Sequence, residues 1–244
     1  MERQIFRLTW QQVQSLVPAQ IDTVILPVGT IEAHGVACVG TDCVIPEDIS
    51  LGIADLLNAL IAPTVNYGVT RSLYRYNGGS TVRPETLALY IRDILSSLTD
   101  DGFRNIFIMN GHGGNNATLK SVAMDFHQER RCNVAVIHWW ELCGDMTKEF
   151  FGHVGGHAGT DETAYVQAVD PTLVDAASYS DAQAWYFRPG ADIYPVPGTI
   201  LLYKEGEGYP NFNADQAKKY RQAVIEMVGE FAGTVLARWR QFKL

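Results

Sequence analysis

A chain of 244 residues with 47% hydrophobic and 19% charged residues has an ordinary globular balance, and its length suits one α/β domain over all of 1–244. Its formal net charge of -8 argues against nucleic acid as a partner, since phosphate binding wants a basic face. Met1-Glu2-Arg3-Gln4 lacks a signal-peptide core, no apolar run approaches the roughly 18 residues of a membrane span, and the four cysteines form no C-x-x-C pair, so the expected compartment is a reducing cytoplasm without membrane contact.

Thr9 is an N-cap residue ahead of apolar positions at helical spacing, which predicts a short surface helix over 9–17. Val24 to Val28 is an apolar run of strand length bounded by Pro27 and Gly29 and reads as a buried strand. Pro46, followed by Glu47 and Asp48, marks a helix start, with the helix running to Leu57. Leu60 to Val65 is a second, weaker strand. Residues 67–83, rich in Gly, Tyr, Ser and Arg, show no period and form a long loop, a kind that is often functional. Pro84 opens another helix. Residues 104–110 are a buried strand that runs into Gly111-His112-Gly113-Gly114-Asn115-Asn116 and a helix over 117–131. A strand over 133–140, a helix over 141–151 and a second glycine-rich turn over 152–162 follow, the last leading to a helix that ends near Asp170-Pro171. Residues 178–210 read as irregular structure with room for a hairpin. Ala214 to Phe242 is a long helix whose stripe is Ala217, Tyr220, Val224, Val228, Phe231 and Val235. Strands alternating with helices give a three-layer α/β/α sandwich with a mainly parallel sheet, its chemically loaded turns gathered at one edge.

Glu32-Ala33-His34 lies beyond the carboxyl end of the first strand, where open α/β sheets bind ligands. Two residues apart, Glu32 and His34 leave the same face of an extended segment, and with Asp42 they make a hard oxygen and nitrogen set suited to zinc, manganese or iron. The turn around His112 has neither P-loop nor dinucleotide spacing; its glycines let the backbone pack closely while His112 projects as a ligand or as a hydrogen-bonded turn residue. His153 and His157 are four apart, but Val154-Gly155-Gly156 disfavours a helix and so a metal pair. Asp161 and Glu162 suit a helix start, which leaves Glu162 open between a capping and a chemical role. Tyr74, Tyr76, Trp140 and Trp185 are candidates to shape a pocket.

The ordered set Pro27–Gly35, Gly40-Thr41-Asp42, Gly78–Leu87, Asn110–Asn115 and His157–Thr163 resembles the creatininase (creatinine amidohydrolase) family. The resemblance implies a creatininase-like sandwich, a homo-oligomer of hexameric form and two divalent metal ions per subunit, zinc first, with manganese or iron as alternatives. By position, Glu32 and His112 would hold one metal, His34 the other, and Asp42 both. The further carboxylate that the family's second metal usually takes stands in creatininase itself at the position of Gly114, and in relatives with the Gly-His-Gly-Gly turn it can come from the His-Ala-Gly motif, which makes Glu162 the candidate, while His157 matches the acid/base histidine. The implied reaction is hydrolysis of a small amide, cyclic amide or formamide C–N bond by a two-metal-activated water, with His157 and Glu162 in the catalytic set. Lactone or C–C hydrolysis, an inactive binding subunit and a nucleotide-binding protein are the alternatives. The chain departs from the family in having one residue fewer between His34 and Asp42, and the missing carboxylate at 114 argues against creatinine as substrate.

Overall fold

The computed structural model describes residues 1–244. Its central layer is a sheet of four parallel strands, β1 (Thr23–Val28), β2 (Ala59–Ile61), β3 (Asn105–Asn110) and β4 (Asn133–His138), in the order β2-β1-β3-β4. The helices are α1 (Trp10–Leu16), α2 (Thr41–Leu57), α3 (Pro84–Asp101), α4 (Asn116–Arg130), the short α5 (Trp139–Leu142), α6 (Gly144–Phe151), α7 (Thr160–Val169) and α8 (Ala214–Phe242). Alternate residues of each central strand feed opposite cores, as the period of two requires. Val24, Leu26, Val28, Ile106 and Ile108 pack with α1, α3 and α4, while Ile25, Phe107 and Met109 pack with α2, α7 and α8. Both faces are covered, so β1 and β3 are buried along their whole length.

Several elements differ from the sequence expectation, among them β4, which ends at His138 so that Trp139 and Trp140 open α5 in place of extending a strand to 140. The β2 ladder stops at Ile61 because Pro27, which faces β2, has no N–H to give, and pairing resumes only as a lone bridge from Val65 to Val28. The segment expected to hold a hairpin instead pairs β5 (Ala184–Tyr186) in parallel with β6 (Ile200–Leu202), through a long connection. On α8 the stripe runs Ala217, Tyr220, Val224 and Val228 as expected, then continues through Ala232 and Leu236, leaving Phe231 43% exposed. Residues 67–83 carry no helix or strand. Asp48 of α2 accepts both arms of Arg221 from α8, each at 2.7 Å, and the Tyr165 hydroxyl of α7 at 3.0 Å, tying the three helices together.

The strand order reverses between β1 and β3, and in an open parallel sheet the carboxyl ends at such a switch point form a natural crevice. The turns after β1 and after β3 both open there.

Candidate metal centre

Helix α2 begins at Thr41, not at Pro46, and so places Asp42 in its first turn. Pro46 lies inside the helix and cannot donate to the Asp42 carbonyl one turn back. That carbonyl projects toward the sheet, where a Cβ on Gly29 would lie 2.3 Å from its oxygen and one on Gly111 2.0 Å from it. Glycine at both strand ends therefore allows α2 to start directly over the switch point, with the Asp42 side chain aimed into it. The short connection from His34 does not displace Asp42, whose Oδ1 lies 2.9 Å from His34 Nε2.

Around Asp42 the fold gathers Glu32, His34, His112, His157 and Glu162. His112 Nδ1 lies 3.2 Å from Glu32 Oε1 and 2.8 Å from Asp42 Oδ2. His34 Nε2 is 3.7 Å from Glu162 Oε2, and His157 Nδ1 is 3.4 Å from Glu32 Oε1. Each imidazole has its other nitrogen fixed by a backbone carbonyl: His34 Nδ1 by Glu32 at 3.0 Å, His112 Nε2 by Val69 at 3.0 Å and His157 Nε2 by Ala33 at 2.7 Å. Such tethers set the tautomer and turn the free nitrogen inward, as metal-ligating histidines require. Strand β6 holds His157 in place, since the Leu201 N–H donates to its carbonyl at 2.9 Å. Glu162 also accepts the Ala158 N–H at 2.6 Å, a contact to the backbone just ahead of α7.

The sequence assigns no role to three supports, although two of them, Asn110 and Asn115, lie in the motif around His112. The Thr70 hydroxyl donates to Glu32 Oε2, which orients the carboxylate with Oε1 toward His112. The Asn115 side chain accepts from the Val69 N–H at 2.9 Å and donates to the Gly29 carbonyl at 3.1 Å, holding the strap whose carbonyl fixes His112. Asn110 donates to the His112 carbonyl at 2.9 Å. Of the aromatic candidates, Trp140 lines the cavity over the centre and Trp185 lines a neighbouring one, whereas Tyr74 is exposed and Tyr76 packs on Leu73 and Val196.

Burial works against any charge in this centre, yet Asp42, with Glu162 and Glu32 behind it, lifts His34 to about 10. Against the same burial, Glu32 and Asp42 raise His112 well above the usual imidazole range. Despite their own burial, Asp42 is held low by His34 and His112, and Glu32 by His112. Burial pushes Glu162 up to about 8, and it lowers His157 to about 4 together with the charge on His34. The cluster thus demands compensating positive charge, which either protons on His34 and His112 or bound cations can provide. Asp42 Oδ2 is buried without a hydrogen-bond partner although His112 Nδ1 is 2.8 Å away. A bare carboxylate oxygen beside an imidazole nitrogen, within a set of oxygen and nitrogen donors, fits a hard divalent cation. A cavity of about 400 Å³ lies over the cluster, walled by Trp140, Phe187 and Tyr203.

The comparisons with known proteins agree with this architecture. The chain is 28% identical over 233 residues to the creatinine amidohydrolase of Pseudomonas putida, covering 84% of this chain and 89% of that one. It is 25% identical over 191 residues to the mycofactocin precursor peptide peptidase of Mycobacterium ulcerans (strain Agy99), covering 74% and 70%. A crystal structure of creatinine amidohydrolase (creatininase) superposes with a TM-score of 0.82 at 22% identity, over 96% of this chain and 98% of that one. A zinc–zinc form of a creatininase mutant and a manganese creatininase superpose at 0.80 and 0.79, each at 23% identity, over 94% and 99% of this chain and 96% and 98% of theirs. The model of the creatininase family, described as creatinine amidohydrolase, matches residues 7–228. The chain therefore belongs to the creatininase family and is a hydrolase of carbon–nitrogen bonds.

Proposed function

We propose that the protein is a metal-dependent amidohydrolase that holds two divalent cations, zinc in the first place and manganese or iron as alternatives. The observation that carries this reading is a pair of donor triplets that share Asp42, within a centre whose third triplet, Glu32, His34 and His157, overlaps both. Glu32, Asp42 and His112 form one and His34, Asp42 and Glu162 the other, each with its ligand atoms within 4.8 Å of one another. On this reading Asp42 serves both ions and Glu162 supplies the carboxylate that Gly114 cannot. The zinc–zinc and manganese forms among the structural neighbours favour the same ions. When bound, such ions supply a water of near-neutral pKa and polarise a substrate carbonyl.

His157 is the acid/base group of this reading. Its Nε2–H is committed to the Ala33 carbonyl, so Nδ1 is the basic atom, and burial keeps the ring neutral at pH 7. It takes a proton from the attacking water and returns it to the departing amine, a role worth about 10²- to 10⁴-fold. The substrate is a small molecule with an amide, cyclic amide or formamide bond, in keeping with a cavity of about 400 Å³. The unit of function is a single domain over 1–244, assembled as a homo-oligomer of hexameric form. Four free cysteines, three of them buried, suit a reducing cytoplasm, and no helix is long and apolar enough to cross a membrane.

Elemental analysis joined to an amide, formamide and lactone panel tests this directly. His112→Ala is expected to lose metal and turnover together, whereas His157→Ala keeps its metal and loses about 10²- to 10⁴-fold in kcat. Full metal stoichiometry and full rate in the His112→Ala protein would refute the ligand assignment.

A further inference from the structure

Beside the cavity over the centre lies a second one of about 520 Å³, which shares Ser72, His112 and Phe187 with the first. The two differ in charge. Five carboxylates line the first, namely Glu32, Asp42, Glu141, Asp161 and Glu162, with no lysine or arginine. The second is lined by Arg71 and Arg188 against the single acid Asp192, in a chain whose formal net charge is -8. The arginine ion pairs of the molecule are made by Arg3, Arg92, Arg130, Arg221 and Arg240; Arg71 and Arg188 make none. Two guanidinium groups without carboxylate partners, arriving from separate loops at one concave site, are the donors that planar oxyanions match best. The first turn of α4, without an acidic residue, opens on the same cavity through Ala117 and Thr118, and its dipole adds to the positive field.

We propose that this second cavity binds an oxyanion, a carboxylate or phosphate, carried on the substrate away from the bond that is cut. The first cavity receives the amide and the arginine-lined one the anionic end, with Ser72, His112 and Phe187 at the boundary. Such a substrate extends across both cavities, and its anionic end provides binding energy remote from the reacting bond.

Binding can be followed without turnover, because Trp185 lines the second cavity and its fluorescence reports occupancy, with the Trp185→Phe protein as baseline. The enzyme is titrated separately with inorganic phosphate and with glutarate. The titrations are repeated on the Arg71→Ala/Arg188→Ala protein and on its lysine counterpart, Arg71→Lys/Arg188→Lys. A saturable signal is expected with at least one anion, weakened at least about tenfold by the alanine pair and partly restored by the lysine pair. The tighter of the two anions identifies the group. No saturable signal with either anion, or binding that the alanine pair leaves intact, overturns the proposal. A second arm compares kcat/KM for N-formyl amines ending in carboxylate, phosphate or neutral amide; the preference for the anionic members is expected to fall toward one in the alanine pair. The proposal rests on the hydrolase reading of the adjoining centre, and the two arms tell the failures apart. Arginine-dependent anion binding without hydrolysis of any N-formyl amine removes the proposed formamide reading and leaves the anion site standing, whereas hydrolysis without anion binding does the reverse.

Discussion

Position 114 bears directly on what the centre can hydrolyse. A Cβ there would lie 2.1 Å from the Val69 carbonyl oxygen and 2.5 Å from His112 Nε2, the two atoms whose hydrogen bond orients His112. Gly114→Glu, which places there the carboxylate that the resemblance to creatininase implies, is therefore expected to drive Val69 and His112 apart and to lower metal content. Creatinine hydrolysis together with undiminished metal in that variant would contradict this account. Thr70 acts on the opposite carboxylate: Thr70→Val removes the donor to Glu32 and should weaken metal binding by about 10- to 100-fold, with Thr70→Ser largely restoring it, as read by metal titration. The ionisable members of the centre were legible in the sequence because Glu32, His34, His112, His157 and Glu162 sit in short strings of glycine and polar residues beyond apolar runs. Thr70 and Val69 were not. Thr70 stands 38 residues from its partner Glu32, and Val69 acts through a carbonyl that every residue possesses.

The start of α2 shows how an element can mislead when read from local signals. Proline is favoured in a first helical turn, so Pro46 marked the start; in the fold it sits within the helix because the carbonyl it leaves free fits between two strand-end glycines. The loss of a backbone donor is visible in sequence, whereas the slot that accommodates it is made by residues far away. The same holds for β5 and β6, whose parallel pairing no local pattern distinguishes from a hairpin, and for the far half of α8, where packing against α2 and α7 selects Ala232 and Leu236 over Phe231. The two glycine turns and the helices beginning at Pro84 and Ala214 were legible because their own residues specify them. The helical layer of α2, α7 and α8 also yields a stability prediction. Arg221→Ala strips Asp48 of a two-armed partner, but the arginine is about a third exposed, so solvent screening holds the loss to about 1–2 kcal/mol. A lowered urea midpoint, with an unchanged slope and unchanged metal content, is the outcome to check.

For the molecule as a whole, the centre couples metal uptake, protons and stability. In the metal-free protein His34 is raised to about 10, so its contribution to stability is complete below an imidazole's ordinary value near 6.5 and fades as pH rises through about 10. Metal ions need the same nitrogens without their protons. Zinc or manganese affinity is therefore expected to climb with pH between about 6 and 9, and loading at pH 7 to release up to about three protons, from His34, His112 and Glu162. Calorimetry in two buffers of different ionisation enthalpy measures that release; uptake without proton release would show that these imidazoles are not ligands. Metal at 100 times its dissociation constant should add about 2.7 kcal/mol of stability, seen as a rise in melting temperature that a chelator reverses.

The carbonyl tethers on His34, His112 and His157 have a further consequence. Because each ring is steered by main chain that belongs to the sheet end or its straps, the socket is shaped during folding rather than by whatever enters it. Exchanging one divalent ion for another should consequently leave the surrounding peptide almost unmoved, and selection among ions falls to supply and to ligand chemistry instead of to any rearrangement of the scaffold.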